Sequence, residues 1–298
     1  MTMEYTGYLF AHFIGEQKDG EQIYFSLSRD GIHWRDLKGG QPVLKSNIGE
    51  KGARDPFLIR TPHMFYLIAT DLRIEAGKGW HAAQYSGSRD ILVWRSKDLV
   101  NWQGPQAQTI GVEGAGCVWA PEAIYDADRN AILVFWASMV DGKQRIFASY
   151  TIDFEKFTEP FIFLEKENHV IDSTIIRTEQ GYYRYTKDET VKNICVDFSK
   201  TLQPDDFVEV RSETLGKLYG VEGPEIFQFN DRKEWCLIVD RFAEGKGYLP
   251  LVTDDLAGGS FKILDDNEFD MGVTKKRHGG VLPVTEEEYL ILTEKYGF

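Results

Sequence analysis

A short motif recurs five times along the chain and brings acidic residues to matching positions. The five copies are RDPFLI from Arg54, APEAIY from Ala120, IDSTII from Ile171, EGPEIF from Glu222 and RHGGVL from Arg277. The spacings between equivalent positions are 65, 52, 51 and 55 residues when these are taken as Asp55, Ala120, Asp172, Gly223 and His278. Three carboxylates and one imidazole therefore stand at or beside the same place in their repeats, those of Asp55, Asp172, Glu222 and His278.

Carboxylates gathered in this way have the chemistry of glycosidic bond cleavage. One carboxylic acid protonates the leaving oxygen, and a carboxylate on the opposite side activates water or attacks the sugar. Water activation needs the two groups ~6.5–9.5 Å apart, and direct attack needs ~5–5.5 Å. Groups from separate repeats that face each other across a channel suit the wider spacing. Because neighbouring carboxylates repel each other, a fold that gathers three of them indicates a functional site.

The segments between these motifs are short and strand-like. They are rich in β-branched and aromatic residues and bounded by turn residues, and they read FYLIAT, DILVWRS, AILVFWAS, QRIFASY, GYYRYT, EWCLIVD and EYLILTE. Five such units predict an all-β fold, a five-bladed β-propeller of four-stranded blades. The first strand of each blade lines the central channel, so the residues at its start become neighbours. A large sandwich or barrel is the alternative fold.

The two ends of the chain are expected to build one blade together and so to close the ring. Only 20 residues follow His278, enough for two strands, and the N-terminal runs YLFAHFIG and QIYFSLS supply two more. The segment from Thr285 to Glu288 matches a helix capping box, but its place between two strand-like runs favours a hairpin turn. No linker or change of composition divides the chain, which predicts a single domain over residues 1–298.

Charge and composition restrict the partners of this 298-residue chain. It has 34 Lys and Arg against 47 Asp and Glu, a net charge of −13, and 13% aromatic residues. Such a chain suits a neutral sugar and disfavours nucleic acid and anionic membranes. Cys117, Cys195 and Cys236 are far apart without a CxxC pair, which argues against a disulfide framework and a thiolate zinc site. No signal peptide is recognised, so we expect a cytoplasmic protein.

The motifs RDPFLI, WAPEAIY, VIDSTII, VEGPEIF and RHGGVL resemble, in order and spacing, the blade starts of glycoside hydrolase family 43. The resemblance covers nearly the whole chain and implies inverting hydrolysis of arabinofuranosides, xylosides and related plant-type glycans. It implies that Asp55 is the general base and Glu222 the general acid. Asp172 would raise the pKa of the acid and orient it. WAPE in place of WAPD and IDS in place of IDP depart from the family pattern without removing a catalytic carboxylate.

The remaining candidates would hold the sugar or an ion. His278 matches a central histidine of the family that often faces a hydrated metal ion, so a Ca²⁺ ion held through water is possible although no cofactor is required. Trp119 is a candidate aromatic platform for a sugar ring. Arg241, Arg277 and His278 are candidate ligands of the sugar hydroxyls.

Two further acids, Glu225 and Glu122, compete for a role. Residues three apart on a strand face opposite sides, so only one of Glu222 and Glu225 is expected to meet the channel, and the resemblance favours Glu222. Glu122 is either a carboxylate behind the site or an ordinary strand residue. Because a general acid must be protonated near the working pH, we expect burial and the charge of Asp172 to raise the pKa of Glu222 above the ~4.3 of a free glutamate.

These residues predict an exo-acting glycosidase that releases terminal α-L-arabinofuranosyl or similar furanosyl units from oligosaccharides. YLFAHF and the turn SRDGIHW resemble small single-domain furanosidases of the family. A β-xylosidase is the close alternative, since pentose rings present similar hydroxyls. A glycoside phosphorylase would need clustered cations and only one catalytic carboxylate, whereas Arg54 and Arg277 alone adjoin the motifs. A non-catalytic carbohydrate-binding propeller has no need of three converging acids.

Overall fold

A computed structural model describes residues 3–298, in which short antiparallel strands predominate. Strands β1–β3 span Gly7–His12, Tyr24–Ser28 and Trp34–Asp36. Strands β4–β7 span Arg54–Arg60, Phe65–Thr70, Asp90–Ser96 and Trp102–Thr109. Strands β8–β11 span Trp119–Asp126, Ala131–Val140, Lys143–Thr151 and Phe161–Leu164. Strands β12–β15 span Val170–Arg177, Tyr182–Asp188, Asn193–Ser199 and Val208–Val210. Strands β16–β20 span Glu222–Gln228, Trp235–Asp240, Tyr248–Thr253, Lys262–Ile263 and Gly279–Val284.

The helices are few and short. The α-helices α1–α3 span Trp80–Tyr85, Glu213–Lys217 and Glu286–Tyr296, and two 3-10 helices span Leu37–Gly40 and Pro204–Asp206. No helix among residues 3–298 has the length and apolar character needed to cross a membrane.

The strands form five four-stranded sheets, which confirms the predicted five-bladed β-propeller. Blade 1 is β4–β7, blade 2 is β8–β11, blade 3 is β12–β15 and blade 4 is β16–β19. Blade 5 has the strand order β20-β1-β2-β3. The first strands β4, β8, β12, β16 and β20 contact one another around the ring and enclose the channel.

Both chain ends build blade 5, as expected, but they divide it differently. The C-terminal segment contributes only β20, and the N-terminal segment contributes the other three strands, whereas two from each end were expected. After β20 the chain forms α3 instead of a hairpin. The Thr285 side chain accepts a hydrogen bond from the backbone of Glu288, and the Glu288 side chain accepts one from the backbone of Thr285. The expected hairpin turn was therefore wrong, because this capping box satisfies the free N–H groups of a helix start. Tyr289 and Leu292 of α3 pack against the core between blades 5 and 1.

One apolar cluster fills each space between neighbouring blades. Strand β9 shows how the sequence encodes this packing, because its side chains alternate between two clusters. Ile132, Val134 and Trp136 face blade 1, whereas Leu133 and Phe135 face blade 3. A strand inside a propeller is thus buried on both faces, which explains the unbroken apolar run AILVFWASMV.

A backbone irregularity repeats at the start of four first strands. Asp55, Ala120, Asp172 and Gly223 all have a left-handed backbone conformation, with φ of 49°, 48°, 48° and 52°. In each case the pairing register with the second strand shifts at this point, as in a β-bulge. These are four of the five positions that the sequence motif makes equivalent; His278 is the fifth. The bulge re-aims the side chains around it, so residues before and after it can both face the channel.

Candidate active site

The starts of the first strands surround a cavity of about 450 Å³ at one end of the channel. The five motif positions immediately before the equivalent ones all line it, namely Arg54, Trp119, Ile171, Glu222 and Arg277. Asp55, Asp172 and His278 line it as well. The structure therefore brings together six of the seven residues that the sequence proposed for catalysis and sugar binding.

Arg241 is the seventh, and it does not line the cavity. Its guanidinium donates hydrogen bonds to the backbone carbonyls of Gly247 and Tyr248, at 3.3 and 3.4 Å. It also pairs with the carboxylate of Asp266 at 3.5 Å. Arg241 therefore holds the turn between β17 and β18, and the structure does not support its expected role as a hydroxyl ligand.

Asp55 is fixed by a hydroxyl group that links blades 1 and 2. Thr70 Oγ1 donates a hydrogen bond to Asp55 Oδ2 at 2.8 Å and accepts one from the backbone N–H of Ala120, also at 2.8 Å. The threonine thus also satisfies the N–H group at the bulge of the next blade. The other carboxylate oxygen, Asp55 Oδ1, lies 3.6 Å from Nδ1 of His278. One oxygen is positioned by Thr70, and the carboxylate stays 14% exposed toward the cavity.

Asp172 makes a similar contact to the following blade and is more deeply buried. Its Oδ2 accepts a hydrogen bond from the backbone N–H of Gly223 at 3.1 Å. Burial raises the pKa of Asp172 to about 6, and the nearby charges of Glu222 and Asp55 act in the same direction. The cations His278 and Lys187 oppose this shift. The carboxyl of Asp172 thus gains a proton more readily than that of an exposed aspartate.

His278 lies at the centre of the acidic residues. Its Nδ1 is 3.6 Å from Asp55 and 3.9 Å from Asp172, and its Nε2 is 3.9 Å from Glu122. Burial lowers the pKa of His278, but these three carboxylates outweigh burial and raise it to about 10. An added Cβ at Gly223 would approach Cγ of His278 to 2.8 Å, so the glycine of the EGP motif makes room for this ring.

Glu222 lies between two cations. Lys187 Nζ donates to Glu222 Oε2 at 2.7 Å, and Arg277 donates to Glu222 Oε1 at 2.9 Å. Burial disfavours the charge on Glu222, but Lys187, Arg277 and His278 outweigh it and hold its pKa below the ordinary value. This corrects the expectation of a raised pKa, because two charged donors act on the carboxylate where the sequence suggested one like charge.

Glu225 lies on β16, three residues after Glu222, and also faces the inner side of the ring. Its Oε2 accepts a hydrogen bond from Thr174 on β12, and its Oε1 accepts one from the backbone of Val281 on β20. Residues three apart on an unbroken strand would face opposite sides, but the bulge between Glu222 and Glu225 shifts the register, so both face the inner side of the ring. Of the two, Glu222 alone lines the cavity. Burial and the charge of Glu122 hold the pKa of Glu225 well above its ordinary value.

Glu122, like Glu225, lies behind the cavity wall and does not line the cavity. It is 3% exposed, and burial raises its pKa to about 7. Of the two readings of Glu122, the structure favours a carboxylate behind the site, in contact with His278. Glu225 does not line the cavity either. Glu222 is therefore the glutamate of the pair that can reach a bound sugar.

The aromatic wall of the cavity includes one residue that the motifs did not reveal. Trp119 meets Trp80 edge to face, with the ring centroids 6.1 Å apart. Trp80 begins α1, in the segment between β5 and β6, and is 48% exposed. The Arg54 guanidinium stacks on the Trp80 ring at 4.9 Å. A half-exposed tryptophan beside a second one offers an apolar face to a sugar ring.

Further lining residues come from segments that lack the motif. These are Glu16, Leu72, Trp80, Gln84, Gln144, Lys187, Glu189 and Phe242. Lys187 is the last residue but one of β13, in which every residue is buried. Its position directly after the strand-like run GYYRYT is the sequence signal that could have drawn attention to it, because a lysine in a buried strand is rare unless it is paired.

A metal ion held directly by protein side chains does not suit this site. Within residues 3–298 there is no group of three or more His, Cys, Asp or Glu side chains arranged to hold one. Both ring nitrogens of His278 face carboxylates, so neither offers a free lone pair to the channel while the imidazole is protonated. A Ca²⁺ ion bound through water stays a prediction.

Comparison with known proteins agrees with this fold and identifies the family of the chain. A family model for glycosyl hydrolases related to family 43, described as "Probable glycosyl hydrolase domain", matches residues 3–290. The chain belongs to this family, which confirms the resemblance seen in the sequence motifs. A curated relative, an α-L-arabinofuranosidase of Bifidobacterium longum subsp. longum, is 30% identical in an alignment of 290 residues that covers 80% of this chain. The chain spans only 27% of the length of that relative.

Solved structures share the propeller fold at low sequence identity. An endo-1,4-β-xylanase of Bacteroides thetaiotaomicron has a TM-score of 0.59 and 15% identity, covering 92% of this chain and 93% of that one. The catalytic domain of a GH62 α-L-arabinofuranosidase of Coprinopsis cinerea has a TM-score of 0.53 and 12% identity, covering 76% and 71%. At these identities the similarity shows the fold and not the substrate.

Proposed function

We propose that the domain is an inverting, exo-acting glycosidase that releases terminal α-L-arabinofuranosyl or similar furanosyl units from oligosaccharides. The observation that carries this proposal is the meeting of Asp55, Asp172 and Glu222 in one cavity, although each comes from a different blade. The name of the Bifidobacterium relative, an α-L-arabinofuranosidase, favours the furanosyl unit. A β-xylosidase of the same architecture is the close alternative.

The site can divide the reaction between two carboxylates. Asp55, held by Thr70, removes a proton from a water molecule that attacks the anomeric carbon. Glu222 gives a proton to the leaving oxygen on the other side of the sugar, and the anomeric configuration inverts. Asp172 holds the N–H group of Gly223, the residue after Glu222, and so positions the acid through the backbone of β16.

A phosphorylase is less well supported, although the cavity holds more cations than the motifs suggested. Arg54 pairs with Glu21 at 2.8 Å, and Lys187 pairs with Glu222 at 2.7 Å. Arg277 pairs with Glu222 at 2.9 Å and also contacts Asp240. Each cation thus already has a carboxylate partner, so a phosphate ion would have to displace an ion pair.

A panel of nitrophenyl glycosides, assayed with and without phosphate, tests this function. We expect hydrolysis of the α-L-arabinofuranoside at a rate independent of phosphate. Proton NMR of the first product should show the anomer inverted relative to the substrate. A rate that requires phosphate would indicate a phosphorylase, and initial retention would show that Asp55 is not a base. A folded protein that cleaves no glycoside and still binds sugars would be a carbohydrate-binding propeller.

The exposed tryptophan gives a prediction on substrate binding. Trp80→Ala is expected to raise KM for an arabino-oligosaccharide ~5–30-fold, because about 1–2 kcal/mol of apolar contact is lost. The effect on kcat should be smaller, since the indole ring can neither give nor take the protons that the reaction moves. Tyr85→Ala is the matched control, because Tyr85 is a 50% exposed aromatic residue of the same helix that does not line the cavity. Equal KM values for the two variants would show that Trp80 does not contact the bound sugar.

A further inference from the structure

Lys187 places a buried cation against the proposed acid. It lies on β13 of blade 3, is 2% exposed and lines the cavity. Its Nζ is 2.7 Å from Glu222 Oε2 and 2.6 Å from Glu189 Oε2, and it lies 4.4 Å from the centre of the Phe242 ring. One ammonium group is thus shared by two carboxylates that both line the cavity.

The contacts of Glu222 oppose its protonation, because a cation lies against each of its two oxygens. Lys187 donates to one of its oxygens, and Arg277 donates to the other. Ammonium and guanidinium groups have donors only, so neither can accept a hydrogen bond from a protonated carboxyl group. Glu222 therefore takes up a proton more readily when one of the two cations has moved away from it.

Lys187 is the less constrained of the two cations. The Arg277 guanidinium is also bound through Nε to Asp240, whose carboxylate is fully buried, so its planar group is held at two points. Lys187 has a second acceptor in Glu189, whose side chain is 30% exposed. A lysine is a point charge with rotatable donors on a flexible stem, so it can change partners with little rearrangement.

We propose that Lys187 is a positioning residue that holds Glu222 as a carboxylate in the free domain and shifts fully onto Glu189 when Glu222 takes up a proton. This inference rests on the proposed function. The proton comes from solvent, Lys187 remains an ammonium ion throughout, and the proton leaves Glu222 for the oxygen of the departing sugar. Glu222 is then a carboxylate again and recovers Lys187.

Charged groups from four strands or their ends act on Glu222, and they set the expected direction of each change. They are Lys187 on β13, Arg277 and His278 before β20, Asp172 on β12 and Asp240 on β17. Glu189, directly after β13, acts through Lys187, and its other carboxylate oxygen pairs with Lys192. Removing the charge of Lys187 leaves the acids in place, so the pKa of Glu222 should rise. Removing the charge of Glu189 takes away the second acceptor of Lys187, so the pKa of Glu222 should fall.

A titration of the free domain tests both directions without any sugar. The protein is labelled with ¹³C at the glutamate carboxyl carbons, and the Glu222 signal is identified by its loss in Glu222→Gln. Relative to the unmodified chain, the midpoint should rise by more than ~1 pH unit in Lys187→Met, since an opposite charge within ~4–6 Å lowers a carboxyl pKa by ~1–3. It should fall in Glu189→Gln. In the active domain the basic limb of kcat/KM should move in the same two directions.

Lys166→Met is the matched control, because Lys166 is a partly buried lysine paired with Asp197 at 3.0 Å that does not line the cavity. Its Glu222 midpoint should equal that of the unmodified chain. If Lys187→Met does not fold, Glu189→Gln and the charge-conserving Lys187→Arg decide the question. An unchanged or raised midpoint in Glu189→Gln, or an unchanged one in folded Lys187→Met, overturns the inference. Expected midpoints in a domain that cleaves no glycoside would contradict only the proposed function.

Discussion

Asp55→Asn should lower kcat on an arabinofuranoside ~10²–10⁴-fold, the loss typical of a missing general base. The amide has the shape of the carboxylate, and its oxygen can still accept the hydrogen bond that Thr70 donates at 2.8 Å. The link from Thr70 to Ala120 should therefore survive, and with it the contact between blades 1 and 2. An amide cannot remove a proton from water, so the loss should appear in kcat and much less in KM.

Asp90→Asn is a matched control for this prediction. Asp90 lies on β6 of the same blade and accepts a hydrogen bond from the hydroxyl of Thr109 at 2.5 Å, but it does not line the cavity. Steady-state kinetics of the two variants, with circular dichroism and thermal melts as a check of folding, separate catalysis from stability. Near-normal turnover by a folded Asp55→Asn protein would show that another group activates the water.

The sequence was sufficient to predict the propeller because a similar short motif begins the first strand of each blade. Each first strand begins beside the central channel. At four of the five strand starts one residue has a left-handed backbone conformation, and these residues are Asp55, Ala120, Asp172 and Gly223. A repeated backbone conformation leaves a repeated motif, and the motif spacing then gives the blade count. It also placed Asp55, Asp172, Glu222 and His278 around one cavity.

The sequence was insufficient where neighbours in space are distant in the chain. The rule of alternating strand faces failed for Glu222 and Glu225 because it assumes an unbroken register, and the bulge breaks that register. Lys187 lies on a second strand, outside the motif, so its contact with Glu222 depends on how blade 3 packs against blade 4. The predicted direction of the pKa shift of Glu222 was wrong for the same reason, because the sequence does not show that Lys187 and Arg277 contact this carboxylate.

Glu222→Gln should impair the enzyme to a degree that depends on the leaving group. A glutamine has no acidic proton to give, so glycosides with poor leaving groups, including natural oligosaccharides, should lose rate ~10²–10⁴-fold. Dinitrophenyl glycosides need little protonation and should keep most of their rate. The basic limb of the pH profile should also disappear, because it reports the titration of the missing acid. Rates with both kinds of substrate across the pH range measure these effects.

Glu225→Gln provides the comparison that identifies the acid. Burial and the charge of Glu122 raise the pKa of Glu225, so its carboxyl favours the uncharged form that a glutamine imitates. Its oxygens are used by Thr174 and by the backbone of Val281, and it does not line the cavity. Glu225→Gln should therefore change both kinds of substrate by the same small factor. If Glu222→Gln instead slows both substrates equally and Glu225→Gln shows the dependence on the leaving group, Glu225 is the acid and the contacts of Glu222 with Lys187 and Arg277 serve only to bind.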